Sequence, residues 1–378
     1  MNSSTKHQIL FLYNGAPLPA MLEMISYAQK QGLLPLLVLL DRGDRRLVID
    51  SSLTDYEIIR IHVDYSTVES KRILSMPSQF RKIRSIITTE LKSGGTIITS
   101  SLDMLFIARL ATAFGDYEIR HQVRDLHELQ LERGLVSSVL RFFERMLLKR
   151  VTRVIVSSPK FASEYYDELY SGEIVVLENV PQRAVWQGFK RTSRTEDVFT
   201  IGYIGVLRYK KSLYRLIDTV EKLVDEGFSI KVKFAGGGTA KTVADLKARI
   251  TNHEIFTFSG PYEYSKDIKS LYADVDLIYA VYDESNRNCQ IAMPNKFYES
   301  VLSAIPLLVA ANTFVGDQTK RYGIGELVSI RHETNLYELL RAVFEPNSWH
   351  AQASDRLRSM SYERFYENFD IALSRSVL

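Results

Sequence analysis

The chain has 378 residues, 46% of them hydrophobic and 25% charged, with a formal net charge of +3. That length allows two or three domains with full cores, and the composition is that of a globular protein. So small a net charge gives no argument for nucleic acid, and the single cysteine, Cys289, excludes an intramolecular disulfide framework.

One cysteine fits a reducing compartment, and with seven scattered histidines no metal-ligand spacing arises. Met1 to Ile9 is polar and lacks the layout of a secretory signal. The longest apolar run, Leu33 to Leu40, contains Pro35 and is far shorter than the roughly 20 residues that span a bilayer. The expectation is a cytoplasmic protein without a membrane span.

Strand-like apolar runs then alternate with helical patterns, which predicts parallel sheets covered by helices. The first series of strands is Gln8–Tyr13, Pro35–Leu40, Tyr56–His62, Thr96–Thr99, Tyr117–Val123 and Arg153–Ser157, with helices such as Leu18–Gln31 and Gln79–Lys92. A polar stretch from Gln187 to Asp197 follows, and the pattern restarts. The second series is Phe199–Ile204, Ile230–Ala235, Ile255–Phe258, Val275–Tyr279, Leu307–Ala310 and Leu327–Ser329. Its helices are Lys211–Glu226, Thr239–Asn252, Ser265–Ala273, Asn295–Ser303 and Asn335–Phe344. Two doubly wound α/β domains result, residues 1–190 and 191–352, with ligand expected at the carboxyl ends of the strands and in the cleft between the domains. The tail, 353–378, reads as one helix with Tyr362, Phe365, Tyr366 and Phe369 on a shared face, returning to pack on the first domain.

Four segments of the second series carry chemistry. Gly205 ends a strand, and Arg208, Lys210 and Lys211 follow at a helix start, which together make a phosphate cradle. This is neither the three-glycine dinucleotide fingerprint nor a P-loop. Gly236, Gly237 and Gly238 permit a tight turn after the next strand, with Thr239 as helix cap. Tyr262, after Gly260, offers a planar face to a base. Pro294 suits the opening of a helix whose first N–H groups can hold a diphosphate, with Lys296 adding charge and Glu299 accepting from sugar hydroxyls.

The run from Ile201 to Ala310 (IGYIGVLRYKKSL, KFAGGG, FSGPYEYSKDIKSLYADVDLIYAVY, MPNKFYESVLSAIPLLVA) resembles the donor-binding domain of retaining GT-B glycosyltransferases. It is most similar to the family-4-like enzymes of capsule, exopolysaccharide and lipopolysaccharide assembly. The first half resembles the acceptor domain more loosely, through Glu118–Leu129 and Val151–Tyr165. The resemblance implies a GT-B fold and transfer of a sugar, with retention, from a nucleoside-diphosphate sugar such as a UDP-sugar. The acceptor is a hydroxyl of a lipid-linked glycan, and neither metal nor cofactor is expected.

It also implies roles. Gly205 packs on the donor phosphates, Lys211 binds the diphosphate with Arg208 and Lys210 as neighbours, and Gly236 and Gly237 border the site. Backbone amides at Asn295 and Lys296 face the phosphates, and Glu299 holds the ribose. Val206 stands where the family has an arginine, and Ile291 where it has the first of two glutamates, the one that touches the sugar. On the acceptor side Asp125 orients sugar hydroxyls, with His121, His127 and Gly15 as further candidates.

From Arg133 to Arg153 six basic residues face one acidic residue. The helix there puts Arg141, Arg145 and Lys149 on one side with Phe142 beside them, which suits an anionic inner-membrane surface or, equally, a solvated side of a core helix. Two alternatives to the transferase are a catalytically weak nucleotide-binding partner of another transferase, motivated by Ile291, and a sugar-nucleotide epimerase of the same fold.

Overall fold

The computed structural model describes residues 6–15, 17, 19–41, 53–63, 69–192, 198–329 and 336–378, without the side chains of 69–76. The first five residues, Leu18, the end of the polar stretch (193–197) and Asn335 therefore lie outside the described residues. The chain divides into two compact units, Met1–Glu178 with Phe365–Leu378, and Asn179–Arg364. The division falls at Glu178, upstream of the polar stretch near residue 190.

The first unit holds strands β1 (His7–Asn14), β2 (Pro35–Asp41), β3 (Glu57–His62), β4 (Leu91–Ser100), β5 (Glu118–Val123), β6 (Arg153–Val156) and β7 (Glu173–Val176). They form one parallel sheet in the order β3-β2-β1-β4-β5-β6-β7. Its helices are α1 (Pro19–Lys30), α2 (Glu69–Glu90), α3 (Leu102–Ala111), α4 (Glu128–Leu131), α5 (Leu135–Leu148), α6 (Pro159–Phe161) and α7 (Asp167–Leu169), with a π-turn at Ala162–Tyr166. The central strands are apolar on both faces: Leu10, Leu12, Leu36, Val38 and Ile97 pack with Ile83, Ile87 and Met104 from α2 and α3.

In the second unit, α8 (Arg183–Trp186) precedes β8 (Phe199–Ile204), α9 (Lys210–Asp225), β9 (Ile230–Ala235), α10 (Ala240–Arg249) and β10 (Phe256–Gly260). After these come α11 (Tyr264–Tyr272), β11 (Leu277–Ala280), α12 (Arg287–Ile291), α13 (Asn295–Ser303), β12 (Leu307–Ala310), α14 (Phe314–Tyr322), β13 (Gly325–Val328), α15 (Leu336–Arg341) and α16 (Trp349–Ser359). The sheet is again parallel, ordered β10-β9-β8-β11-β12-β13. Leu213, Leu216, Ile217, Val220 and Leu223 follow helical spacing along α9 and bury one stripe against the sheet.

Both sheets reverse strand order at a single point, β1/β4 in one and β8/β11 in the other, where such sheets bind ligands. The tail is two helices, not one: the chain runs extended at Met360 before α17 (Glu363–Val377). Tyr366 and Phe369 are buried, whereas Tyr362 precedes α17 and is exposed. Arg120, itself buried on β5, donates to the carbonyls of Ser376 (3.1 Å) and Leu378 (3.0 Å), tying the last turn of α17 to the first unit.

Candidate functional site

At the carboxyl ends of β8, β9 and β10 the backbones close on one another through glycines. Gly205 donates to Ala235 O (2.7 Å), Leu207 to Gly237 O (2.8 Å) and Gly236 to Gly260 O (2.8 Å). Gly205 and Gly236 have φ of +148° and +135°, a region that favours glycine. A Cβ on Gly236 would stand 1.9 Å from Gly205 O, so no side chain fits there. A Cβ on Gly205 would meet Lys296 Cε at 3.7 Å. The lysine stem from the start of α13 therefore lies over the glycine turn at the end of β8.

α13 begins at Asn295, with Pro294 as the residue before its first turn and no side-chain cap. Among the described residues the N–H groups of Asn295 and Lys296 make no hydrogen bond, leaving the helix start open to an anion. The Lys296 ammonium lies 2.5 Å from Glu299 Oε2 and 5.7 Å from the centre of the Tyr272 ring. Burial pushes its pKa down, but the charges of Glu299 and Tyr262 outweigh this and hold it above the ordinary lysine value. It is a cation at neutral pH.

Glu299 is fully buried, and the ribose role implied for it meets a filled carboxylate. Its Oε1 accepts from Tyr264 Oη (3.0 Å) and its Oε2 from Tyr272 Oη (2.6 Å) as well as Lys296. Trp186 Nε1 donates to Tyr264 Oη (3.3 Å). Burial, and then the Glu299 charge, push the Tyr264 and Tyr272 phenols far above their usual pKa, so both stay neutral donors. Tyr262, raised by burial, also senses Lys296 and Glu299 and so belongs to this group.

The three cations after Gly205 part company. Lys210 pairs with Asp245 on α10. Lys211, one residue on, is exposed and makes no ion pair or hydrogen bond among the described residues. Arg208 is exposed, lies 5.0 Å over the Tyr209 ring, and is linked electrostatically to Tyr282, which in turn senses Glu299. Ile291 is buried at the end of α12, and Val206 is exposed.

In the first unit a cavity of about 140 Å³ opens beside the ends of β4 and β5, lined by Ser101, His121, Arg124, Asp125, Gln130 and Tyr166 among others. His121 is buried, with Nδ1 3.0 Å from Thr99 Oγ1. Burial pushes its pKa down to about 3, so the ring is neutral and cannot switch charge near pH 7. Asp125 stands exposed at the rim beside the partly buried Arg124. His127 does not line the cavity: its Nδ1 accepts from Leu129 N (3.2 Å) and caps α4. Gly15 (φ +100°) also lies outside the lining, turning the chain after β1. Nearby, the buried Tyr13 hydroxyl and Gln122 Oε1 lack hydrogen-bond partners among the described residues.

The basic helix α5 is inverted relative to a core helix. Leu135 (87% exposed), Val136, Val139, Phe142, Phe143 and Met146 face outward, while Ser137, Glu144 and Leu148 are buried. α3 and its following turn add exposed Phe106, Leu110 and Phe114 (95% exposed). Arg141 is turned inward, donating to the carbonyls of Gln130 (3.0 Å) and Glu132 (2.8 Å), and Arg145 donates to Glu168 O (3.2 Å). Lys149 and Phe142 remain exposed. No helix among the described residues is long and apolar enough to cross a membrane.

Sequence reasoning missed Tyr264, Tyr272 and Trp186. The available signal was tyrosine density, with five between positions 262 and 282.

Two parallel α/β sheets in separate units, one carrying a glycine-floored cationic site at its switch point, define the GT-B fold. No protein-family model matches the chain. It is 27% identical over 275 residues to the succinoglycan biosynthesis protein ExoL of Rhizobium meliloti, a match covering 69% of this chain and 66%, just under two thirds, of that relative. Among solved structures it is similar to Anabaena Alr3699/HepE in complex with UDP-glucose (TM-score 0.73, 16% identity, 98% of this chain and 99% of that one). It is also similar to a Listeria monocytogenes chain described as a UDP-N-acetylglucosamine 2-epimerase (TM-score 0.65, 12% identity, 98% and 95%).

Proposed function

We propose that the chain is a glycosyltransferase of exopolysaccharide assembly. It moves a sugar, with retention, from a nucleoside-diphosphate sugar to a hydroxyl of a lipid-linked glycan. The observation that carries this reading is the buried Lys296 ammonium, held by Glu299 above the Gly205 turn and beside the uncapped start of α13. A diphosphate there meets a fixed cation and two free N–H groups, with Lys211 exposed to close on it. In the reaction the acceptor oxygen bonds to the anomeric carbon as the bond from that carbon to the phosphate oxygen breaks. The acceptor proton passes to a phosphate oxygen, and the nucleoside diphosphate departs. Negative charge grows on the leaving group, so preorganised cations and amides lower the barrier.

Glu299 acts in this scheme by orienting Lys296, Tyr264 and Tyr272. Asp125 orients the acceptor at the first unit's cavity, and His121 presents a neutral ring there. The printed descriptions of the Anabaena and Rhizobium proteins, a UDP-glucose complex and succinoglycan biosynthesis, support the donor class and the pathway. The outward apolar face of α5 with exposed Lys149 supports a peripheral site on an anionic inner-membrane surface, where a lipid-linked acceptor resides. The Listeria likeness keeps an epimerase as the second reading.

The test is nucleotide release from a panel of donors, with and without glycan acceptors. A tenfold or greater loss is expected in Lys211→Ala and Lys296→Ala. Wild-type release rates in both variants, or a donor whose sugar is epimerised with no acceptor consumed, would overturn the assignment.

A further inference from the structure

Because α5 turns its apolar side outward, its inward side decides what the helix does for the unit. There Glu144 is fully buried. Its Oε2 accepts from Gln130 Nε2 (2.8 Å) and Tyr165 Oη (2.6 Å), and its Oε1 from Tyr166 Oη (2.8 Å). Among the described residues no cation pairs with it. Burial raises its pKa, opposed by the three donors. A leucine would fill such a position at less cost, so packing alone does not explain a carboxylate here. The two tyrosines come from consecutive positions of the π-turn, a rare element concentrated at functional sites.

Gln130 carries the link onward. Its Oε1 accepts from His127 N (2.9 Å), and both Gln130 and Tyr166 line the cavity that Asp125 borders. Arg141, from the same helix, grips the Gln130 carbonyl. We infer that Glu144 is a positioning residue for acceptor binding: through Gln130 it fixes the His127 amide, and with it the Asp125–His127 segment at the cavity rim. This deepens the transferase reading and rests on it for the kinetic arm of the test alone.

The test compares Glu144→Gln, which reaches the 124–129 segment only through Gln130, with Gln130→Leu, which cuts the link and leaves Glu144 its two tyrosines. Hydrogen exchange over residues 124–129 is expected to quicken about fivefold in both, the factor for one lost hydrogen bond, with the α9 and α13 peptides unchanged. The acceptor KM is expected to rise by the same factor while donor KM and acceptor-free donor hydrolysis stay at wild-type values. Wild-type exchange over 124–129 in Glu144→Gln overturns the inference, as does an equal rise of donor and acceptor KM. If Glu144→Gln unfolds, Gln130→Leu carries the same comparison. A protein with no donor turnover fails the transferase reading, while the exchange result still decides the role of Glu144.

Discussion

Replacing Lys296 by methionine separates what the buried pair does for the fold from what it does for the donor. The substitution keeps the stem that lies over Gly205 but leaves Glu299, fully buried, with only its two tyrosine donors. Breaking a buried pair on one side costs about 3–5 kcal/mol, and the remaining hydroxyls put this case near about 3 kcal/mol. A domain of this size loses about 2–4 °C per kcal/mol, so its Tm should fall by about 6–12 °C in scanning fluorimetry. Loss of a charge aimed at the leaving group costs about 10²–10³ in kcat, read as nucleotide release at saturating donor. The double variant Lys296→Met with Glu299→Met removes both charges, and a neutral pair of similar volume is often as stable as the ion pair. It should therefore regain most of the Tm while kcat stays low. Because the Lys296 pKa is raised above the lysine value of 10.5, its stabilising effect is fully present below that pH and fades only as pH rises through the folded-state pKa. The Tm gap between wild type and Lys296→Met should hence be flat between about pH 6 and pH 9. A single variant with lowered Tm but kcat within about threefold of wild type would refute the electrostatic role and leave Lys296 a structural cation.

Gly236→Ala places a Cβ 1.9 Å from Gly205 O at φ +135°, so soluble yield and Tm should both drop, whereas Gly188→Ala, strained but with open space, should cost about 1 kcal/mol by urea titration. His121 has its pKa lowered from 6.5 to about 3, so the unfolded state alone binds that proton between these values. Stability should fall by about 2 kcal/mol between pH 6.5 and 5 through this group, and His121→Gln should flatten that slope in urea titrations. Val139→Asp with Phe143→Asp should abolish flotation with anionic vesicles and leave Tm unchanged, since both side chains are exposed. Arg141→Ala should instead lower Tm with little effect on flotation, because its guanidinium holds the carbonyls of Gln130 and Glu132.

Where a feature depends on the apolar pattern of one segment, the sequence alone was sufficient. Phe199–Ile204, Ile230–Ala235, Leu307–Ala310 and Asn295–Ser303 match the expected bounds because the first three are short apolar runs between turn residues and the last is bounded by Pro294 and Pro306. β7 was missed: Glu173–Val176 opens on a charged residue, which leaves three apolar β-branched residues as its signal. The glycine floor was legible for the same local reason, since a glycine ending a strand marks a close approach whatever it approaches. What was not legible is every choice that depends on a second segment. Lys210 and Lys211 are adjacent and chemically alike, yet consecutive helical residues point about 100° apart, and Asp245 on α10 takes one of them. That Glu299 takes three donors is not legible either, because they come from a helix 27 and 35 residues upstream and from its own preceding turn.

Helix α5 is the clearest case of this limit. Its periodicity announces one apolar and one polar side, but periodicity has no sign, and either side could face the sheet. In the fold the glutamate side turns in, where Gln130, Tyr165 and Tyr166 donate to Glu144 and offset the cost of burying it, and Val139, Phe142, Phe143 and Met146 turn out. An apolar surface and an ordered cavity rim are thus two consequences of one orientation. A substitution that lets α5 roll to bury its apolar side would lose both at once, with exchange over residues 124–129 and vesicle flotation changing together.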